Sequence, residues 1–189
     1  PNPPGETRTN GTPVTATSTP HPFDFPYPDN TKTQPQQIVV ANGTVLTVTR
    51  TPKKRRDKNA GPLSDDQLRN ALDPMTAAFL SVQARSPAGD LAVCDGTLRV
   101  FDGKRLFELT FSPKRTEQLG ARAPEGVSAA AVCTIRYRPI GGHRRESPTV
   151  AFLQKSKDIE AWLVAVPGTE IFIPYKVVLP TAWGNGTVT

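Results

Sequence analysis

Cys94-Asp95-Gly96-Thr97-Leu98-Arg99-Val100-Phe101-Asp102-Gly103-Lys104-Arg105 and Cys133-Thr134-Ile135-Arg136-Tyr137-Arg138-Pro139-Ile140-Gly141-Gly142-His143-Arg144 are the stretches that decide the fold of this chain. Each opens on one of the only two cysteines and runs into apolar, strand-like sequence. After the first, Asp102-Gly103 divides residues 98–101 from 106–111, where Leu106, Phe107, Leu109 and Phe111 interleave with Glu108 and Thr110. Asp-Gly between β-prone arms is hairpin chemistry, because glycine accepts the positive φ that a tight turn requires. Two lone cysteines in such surroundings predict a structural disulfide joining two strands of one sheet, and with it an oxidising compartment. That bond closes a loop of about forty residues and is worth ~4 kcal/mol in the loop-entropy model. The competing reading is a redox or metal pair. It lacks a Cys-x-x-Cys, and Cys94, Cys133, His21 and His143 have no zinc-ligand spacing.

Upstream the same device recurs, with Asn42-Gly43 between Ile38-Val39-Val40-Ala41 and Thr44-Val45-Leu46-Thr47-Val48. Residues 21–28 alternate prolines with Phe23, Phe25 and Tyr27, an edge strand or an extended aromatic segment. Between the hairpins, Ser64-Asp65-Asp66-Gln67 is a capping box, and Leu68, Leu72, Met75 and Phe79 follow at helical spacing. Pro74 interrupts, and Asp73-Pro74 reads as a fresh cap and first-turn proline, so the spacing predicts two short helices or one kinked helix. Residues 75–82 are apolar nearly all round, which predicts a buried helix. Farther on, residues 127–137, 150–153, 158–166 and 171–179 read as strands, with Pro167-Gly168 as a turn. Consecutive strands joined by tight turns make an antiparallel meander. The fold class is therefore mainly β with one central helical segment (α+β), a curved antiparallel sheet or half-barrel wrapped around a helix.

At 189 residues the chain suits one domain, expected over 21–189 after a flexible Pro/Thr-rich segment at 1–20. The formal charge of +6 is densest at Lys53-Lys54-Arg55-Arg56-Asp57-Lys58. That run reads as a solvated loop, the alternative being a patch for nucleic acid, anionic lipid or lipopolysaccharide; no RNA-binding signature accompanies it, and nucleic acid is not an expected partner. No apolar run reaches the ~18 residues that a transmembrane helix needs. The chain opens Pro1-Asn2-Pro3-Pro4-Gly5, without a signal peptide, as expected of a fragment or of a processed form whose signal has been removed, so this start does not count against export.

Residues that carry chemistry elsewhere have plainer readings here. His143 sits in the basic turn Gly141-Gly142-His143-Arg144-Arg145, with no nucleophile or orienting carboxylate in a recognisable motif. Asp95 and Asp102 are turn residues, and Trp162, Trp183, Tyr137 and Tyr175 are core or sheet-face aromatics. Asn10, Asn42 and Asn185 each open an Asn-Gly-Thr triplet, which is a glycosylation acceptor and equally a hairpin turn. No catalytic residue, metal or cofactor is expected.

At these residues the chain resembles the alphaproteobacterial periplasmic proteins that carry domain of unknown function 3108. The matching pieces are Ala71-Leu72-Asp73-Pro74-Met75, the Cys94-x-Gly96…Val100-Phe101-Asp102-Gly103-Lys104-Arg105 hairpin, and Cys133-x-x-Arg136-Tyr137-x-Pro139-Ile140-Gly141-Gly142-His143. Ile159-Glu160-Ala161-Trp162-Leu163…Val166-Pro167…Ile173-Pro174-Tyr175-Lys176-Val177…Pro180-Thr181…Gly184 completes a pattern that spans residues 20–189. The resemblance implies an exported, periplasmic protein whose sheet wraps a helix as in lipoprotein-carrier folds, with no activity assigned. It also implies that strands preceding the proline-rich segment are missing here, leaving an exposed edge.

The expected function is that of a non-enzymatic envelope protein holding a lipid, or an apolar segment of another envelope protein, in the concave sheet. Phe101, Phe107 and Trp162 are candidates to line that concavity, since each lies in a strand with mixed faces. Arg144 and Arg145 are candidates to meet an anionic head group at its rim. The alternative is a metal-independent enzyme on a similar wrapped sheet, with His143 or an acidic residue at the sheet mouth. That reading requires several polar groups converging on one point.

Overall fold

The structure is a computed structural model that describes residues 21–29, 32–41, 44–50, 59–78, 80–81, 89–120, 123–181 and 184–189. Side chains are described from residue 59 onward, apart from those of Asp65, Met75, Leu80 and Ser81. The predicted flexible segment 1–20, the Asn42-Gly43 turn, the basic run 53–58, Phe79, Val82 and Trp183 lie outside the described residues.

Strands β1 (His21–Asp29), β2 (Lys32–Ala41) and β3 (Thr44–Arg50) form an antiparallel sheet in that order. Ala41 pairs with Thr44 across the predicted turn, and a β-bulge between Val39 and Val40 then shifts the register so that Ile38 meets Val48. The proline-rich stretch at 21–29 is the edge strand β1, where proline's missing N–H leaves no ladder bond broken on the open side.

A second sheet carries the core. Its strands are β4 (Leu80–Ser81), β5 (Gly96–Phe101), β6 (Leu106–Gln118), β7 (Ala129–Gly141), β8 (Ile159–Ala165), β9 (Ile171–Thr181) and β10 (Gly184–Val188). They run β5-β6-β7-β8-β9-β10, every neighbour antiparallel, and β4 pairs with β9 through Leu80 and Phe172. This is an open meander, as short turns between consecutive strands dictate.

One face of this sheet buries Leu98, Val100, Phe111, Ala131, Cys133, Ile135, Ile159, Ala161, Leu163 and Phe172. Burying side chains such as Leu163 and Phe172 from water is worth ~1.5–3 kcal/mol each. Val93 and Cys94 of a 3₁₀ turn at Leu91–Cys94 lie over that face, with Leu72 beside them. Ala77 of α1 (Pro74–Ala78) and Leu153 of α2 (Pro148–Lys155) pack against the same cluster. The backbone of Leu72 is stitched to β5: its N–H donates to the Arg99 carbonyl at 2.8 Å, and its carbonyl accepts from Phe101 N–H at 2.8 Å. That contact covers part of an edge that would otherwise be open.

The disulfide is formed, with Cys94 and Cys133 bonded at 2.08 Å and their Cα atoms 5.3 Å apart. It does not join two strands. Cys94 ends the 3₁₀ turn, where the Asp90 side chain accepts from Ala92 N–H, and the bond staples that turn to the middle of β7.

Two further expectations are corrected. The helix expected over 75–82 ends at Ala78, and Leu80 and Ser81 are strand residues on β9. A short apolar run satisfies a buried strand and a buried helix equally, and pairing with Phe172 and Ile171 decides between them. Asp73 does cap α1, its carboxylate accepting from the Thr76 N–H at 3.0 Å and from the Thr76 hydroxyl at 2.6 Å. The capping box at Ser64 starts only one 3₁₀ turn, Asp65–Leu68. Residues 150–153, expected as a strand, lie inside α2, which begins on an Ser147 cap and a first-turn proline.

Candidate functional site

The second sheet has another face, and its composition is different. Residues directly opposite each other on neighbouring strands share a face, so the register can be read as rows. Arg115 pairs with Val132, Val132 with Trp162, and Trp162 with Lys176, which makes one row across β6, β7, β8 and β9. Around it Val127, Ala130, Val132, Trp162 and Val164 form a buried apolar cluster, with Leu119, Ile173, Tyr175 and Val178 half-buried against it.

Trp162 is 5% exposed, and two cations lie over its ring. Lys176 Nζ is 4.1 Å from the ring centroid and the Arg115 guanidinium carbon is 5.4 Å away. Such contacts are worth ~0.5–1 kcal/mol at exposed sites and more when desolvated. Arg115 also donates through Nε and Nη2 to one oxygen of Glu117, at 3.1 and 2.7 Å, and its Nη1 lies 3.6 Å from Glu160. Lys114 pairs with Glu160. The Arg115 hydrogen bonds hold the Glu117 carboxyl below the usual carboxylate range, against a smaller opposing effect of burial. The Trp162 indole N–H and the charge of Lys176 act in the same direction as Arg115. The indole N–H comes near enough to Glu117 for that influence, yet it closes no hydrogen bond of ordinary length.

Farther along the same face, Glu108 is flanked by Arg99 on β5 and Arg138 on β7, and Thr97, Thr110 and Arg136 form the adjoining row. Glu108 is bonded from both sides, at 3.3 Å by Arg99 Nη2 and at 2.9 Å by Arg138 Nε.

A different group closes the far end of β7. The Tyr137 hydroxyl is hydrogen-bonded to His143 Nε2, and Phe107 packs against both rings. His143 is 7% exposed, and burial depresses its pKa below the ordinary imidazole value; Arg105 acts the same way, while the Gly141 carbonyl and Asp102 oppose. The opposing carbonyl does not satisfy Nδ1, which is buried without a hydrogen bond. Burial pushes the Tyr137 phenol up to about 12. Backbone hydrogen bonds fix the turn that carries His143: Gly61 N–H donates to the His143 carbonyl at 2.8 Å, and Gly142 N–H to the Gly61 carbonyl at 3.2 Å. Gly142 has φ +74°, and a Cβ there would stand 1.9 Å from the Lys104 carbonyl oxygen, so only glycine fits this close approach.

The candidate lining residues are not gathered into one surface. Phe101 is buried with Ala71 and Leu106 under Leu63, Leu68 and Ile140. Phe107 packs on the disulfide-bearing face, and Trp162 lies on the opposite one. Arg144 and Arg145 are exposed beyond the end of β7, where Arg145 N–H donates to the Asn59 carbonyl at 3.1 Å. Gly141 at that end is nine residues from Val132 on β7, roughly 30 Å of strand, so these arginines do not rim the Trp162 cluster. The sequence alone assigns no site role to Arg115, to Lys176 or to a Tyr137–His143 bond. The alternation in Ile173-Pro174-Tyr175-Lys176 hinted at Lys176 alone.

Among the described residues no group of His, Cys, Asp and Glu is placed to hold a metal ion, and no helix is long and apolar enough to cross a membrane. Comparison with protein families, curated proteins and solved structures finds no match to this chain.

Proposed function

We propose that this is a non-enzymatic, exported protein of the periplasmic envelope, of the kind that the resemblance to domain of unknown function 3108 implies, and that it binds a lipid on its Trp162 face. In this reading the sheet curves around α1 in the manner of lipoprotein carriers, and the ligand sits on the face away from the disulfide rather than in the α1-bearing concavity that the sequence leads one to expect. One observation carries the proposal: among the described residues the indole is covered by the ends of Lys176 and Arg115 rather than by apolar side chains of a helix. An anionic amphiphile would draw both cations to its head group and lay its chain against Trp162, Ile173 and Val178. Burying ten methylenes yields ~8 kcal/mol gross, the free energy of a micromolar complex.

Lipid mass spectrometry on protein purified natively from a periplasmic extract tests this reading, together with a titration of a fluorescent fatty acid followed by quenching of Trp162 in a Trp183→Phe background. A co-purifying lipid and saturable quenching support the proposal, and neither being found overturns it.

The metal-independent enzyme is the second reading, and the Tyr137–His143 bond is the observation that favours it. Hydrolysis of a model ester that disappears on His143→Gln would move the assignment there.

A further inference from the structure

We propose that Arg99, Arg136 and Arg138, at the β5–β6–β7 end of the same sheet face, form a docking site for the phosphate head groups of an acidic phospholipid surface; this rests on the lipid-binding reading above. The register places Arg99, Glu108 and Arg138 in one row and Thr97, Thr110 and Arg136 in the next. Rows on one face are two residues apart, ~6.6 Å, and strands ~4.8 Å apart, so the three guanidinium groups span about one lipid head group.

Charge complementarity selects the occupant. Three guanidinium groups face one carboxylate in these two rows, which leaves two positive charges uncompensated among the described residues. Glu108 lies low, 14% exposed, while Arg138 and Arg99 stand above it at 63% and 33%. The carboxylate thus anchors the two guanidinium planes without covering them. Arg136 is exposed, and one of its five N–H donors goes to the Ser156 carbonyl at 3.0 Å. Thr97 and Thr110 share a hydroxyl–hydroxyl hydrogen bond of 3.1 Å, which leaves one O–H donor of the pair beside the arginines. Guanidinium forks match the paired oxygens of a phosphate, and fixed forks lose little freedom on binding. Along β7, Arg136 and Val132 are four residues apart on the same face, ~13 Å, so a lipid surface seated on the arginines also meets the Trp162 row.

The test uses the full chain and flotation with vesicles of phosphatidylcholine, with and without phosphatidylglycerol. The parent is expected to float only with phosphatidylglycerol and to be released by salt. Each arginine lost should weaken binding about fivefold, so the Arg136→Gln/Arg138→Gln double variant should bind roughly 25-fold more weakly. The Arg136→Lys/Arg138→Lys variant should recover only part of that, since an ammonium keeps the charge without the fork. Arg69→Gln, an exposed position just after the Asp65–Leu68 turn, should stay within twofold of the parent. A glutamine double variant within twofold of the parent overturns the inference, and so does equal competition by poly-glutamate and phosphatidylglycerol. If that variant still quenches with fatty acid, the lipid-binding reading stands and only the head-group assignment falls. A parent that binds neither vesicles nor fatty acid sinks the reading itself. Should the double variant fail to fold, Arg136→Gln alone carries the test, because its one hydrogen bond here is to a loop carbonyl.

Discussion

Tyr137 and His143 stand edge to face, their ring centroids 6.0 Å apart and their planes at 81°, with the phenol and imidazole Nε2 sharing a hydrogen bond. Phe107 closes the third side, 5.4 Å from Tyr137 and 6.4 Å from His143. Burial acts oppositely on the two groups, raising the phenol and lowering the imidazole, so both are neutral around pH 7.

Acid should therefore loosen the fold through His143. Its folded pKa lies below the unfolded value near 6.5, so its stabilising contribution is complete above that value and is lost as pH falls through the lower folded one. Urea midpoints measured between pH 7 and pH 5 should fall for the parent and fall less for His143→Gln. Identical slopes would show that the imidazole is not protected.

Alkali tests the partner. Tyr137 is raised to about 12 from an unfolded value near 10, so its contribution is present below pH 10 and disappears as pH rises through the folded value. Absorbance at 295 nm should show a tyrosine ionisation near pH 12, and Tyr137→Phe should remove that step.

The disulfide should account for much of the stability. Reduction of a bond spanning 39 positions should cost about 4 kcal/mol, read as a shift in the denaturant midpoint, and the unreduced, denatured protein should contain no titratable thiol. Two free thiols would contradict the bond outright.

Gly142→Ala should destabilise by more than ~1 kcal/mol, because the new methyl group meets the Lys104 carbonyl and the backbone holds a positive φ. Gly168→Ala shares the positive φ but meets nothing within 4 Å, so the difference between the two variants isolates the steric part. Equal melting temperatures would mean that the β5–β6 turn moves aside freely.

The sheet was legible wherever turn chemistry and alternation agreed. Asp102-Gly103 announced the β5–β6 hairpin, and Asp102 accepts from the amides of Lys104 and Arg105 as such a turn requires. Short apolar runs were not legible: Leu80 and Ser81 became strand and Val150 to Leu153 became helix, although Ser147-Pro148 carried a cap signal for the latter. The site was hidden for a geometric reason. Irregularities between Pro113 and Arg115, and between Trp162 and Leu163, set which side chains share the Trp162 row. A one-residue slip transfers a strand's whole set to the other face, and Pro113 and Pro174, which sit at these two slips, mark them without saying which way the side chains then turn. Tyr137 and His143 meet across the end of a strand and a glycine turn, outside any helical or strand periodicity.

The Cys94–Cys133 bond also has a mechanical meaning. Force applied at positions outside the pair passes from one sulfur to the other, so β5, β6 and the first residues of β7 carry no load. Stretched chain spans at most ~3.3–3.6 Å per residue, so roughly 130 Å of contour stays hidden until the sulfurs are reduced. A protein tethered at one end and pulled at the other would yield its outer strands first and keep this looped middle folded, and added reductant would appear in a single-molecule trace as a longer final extension.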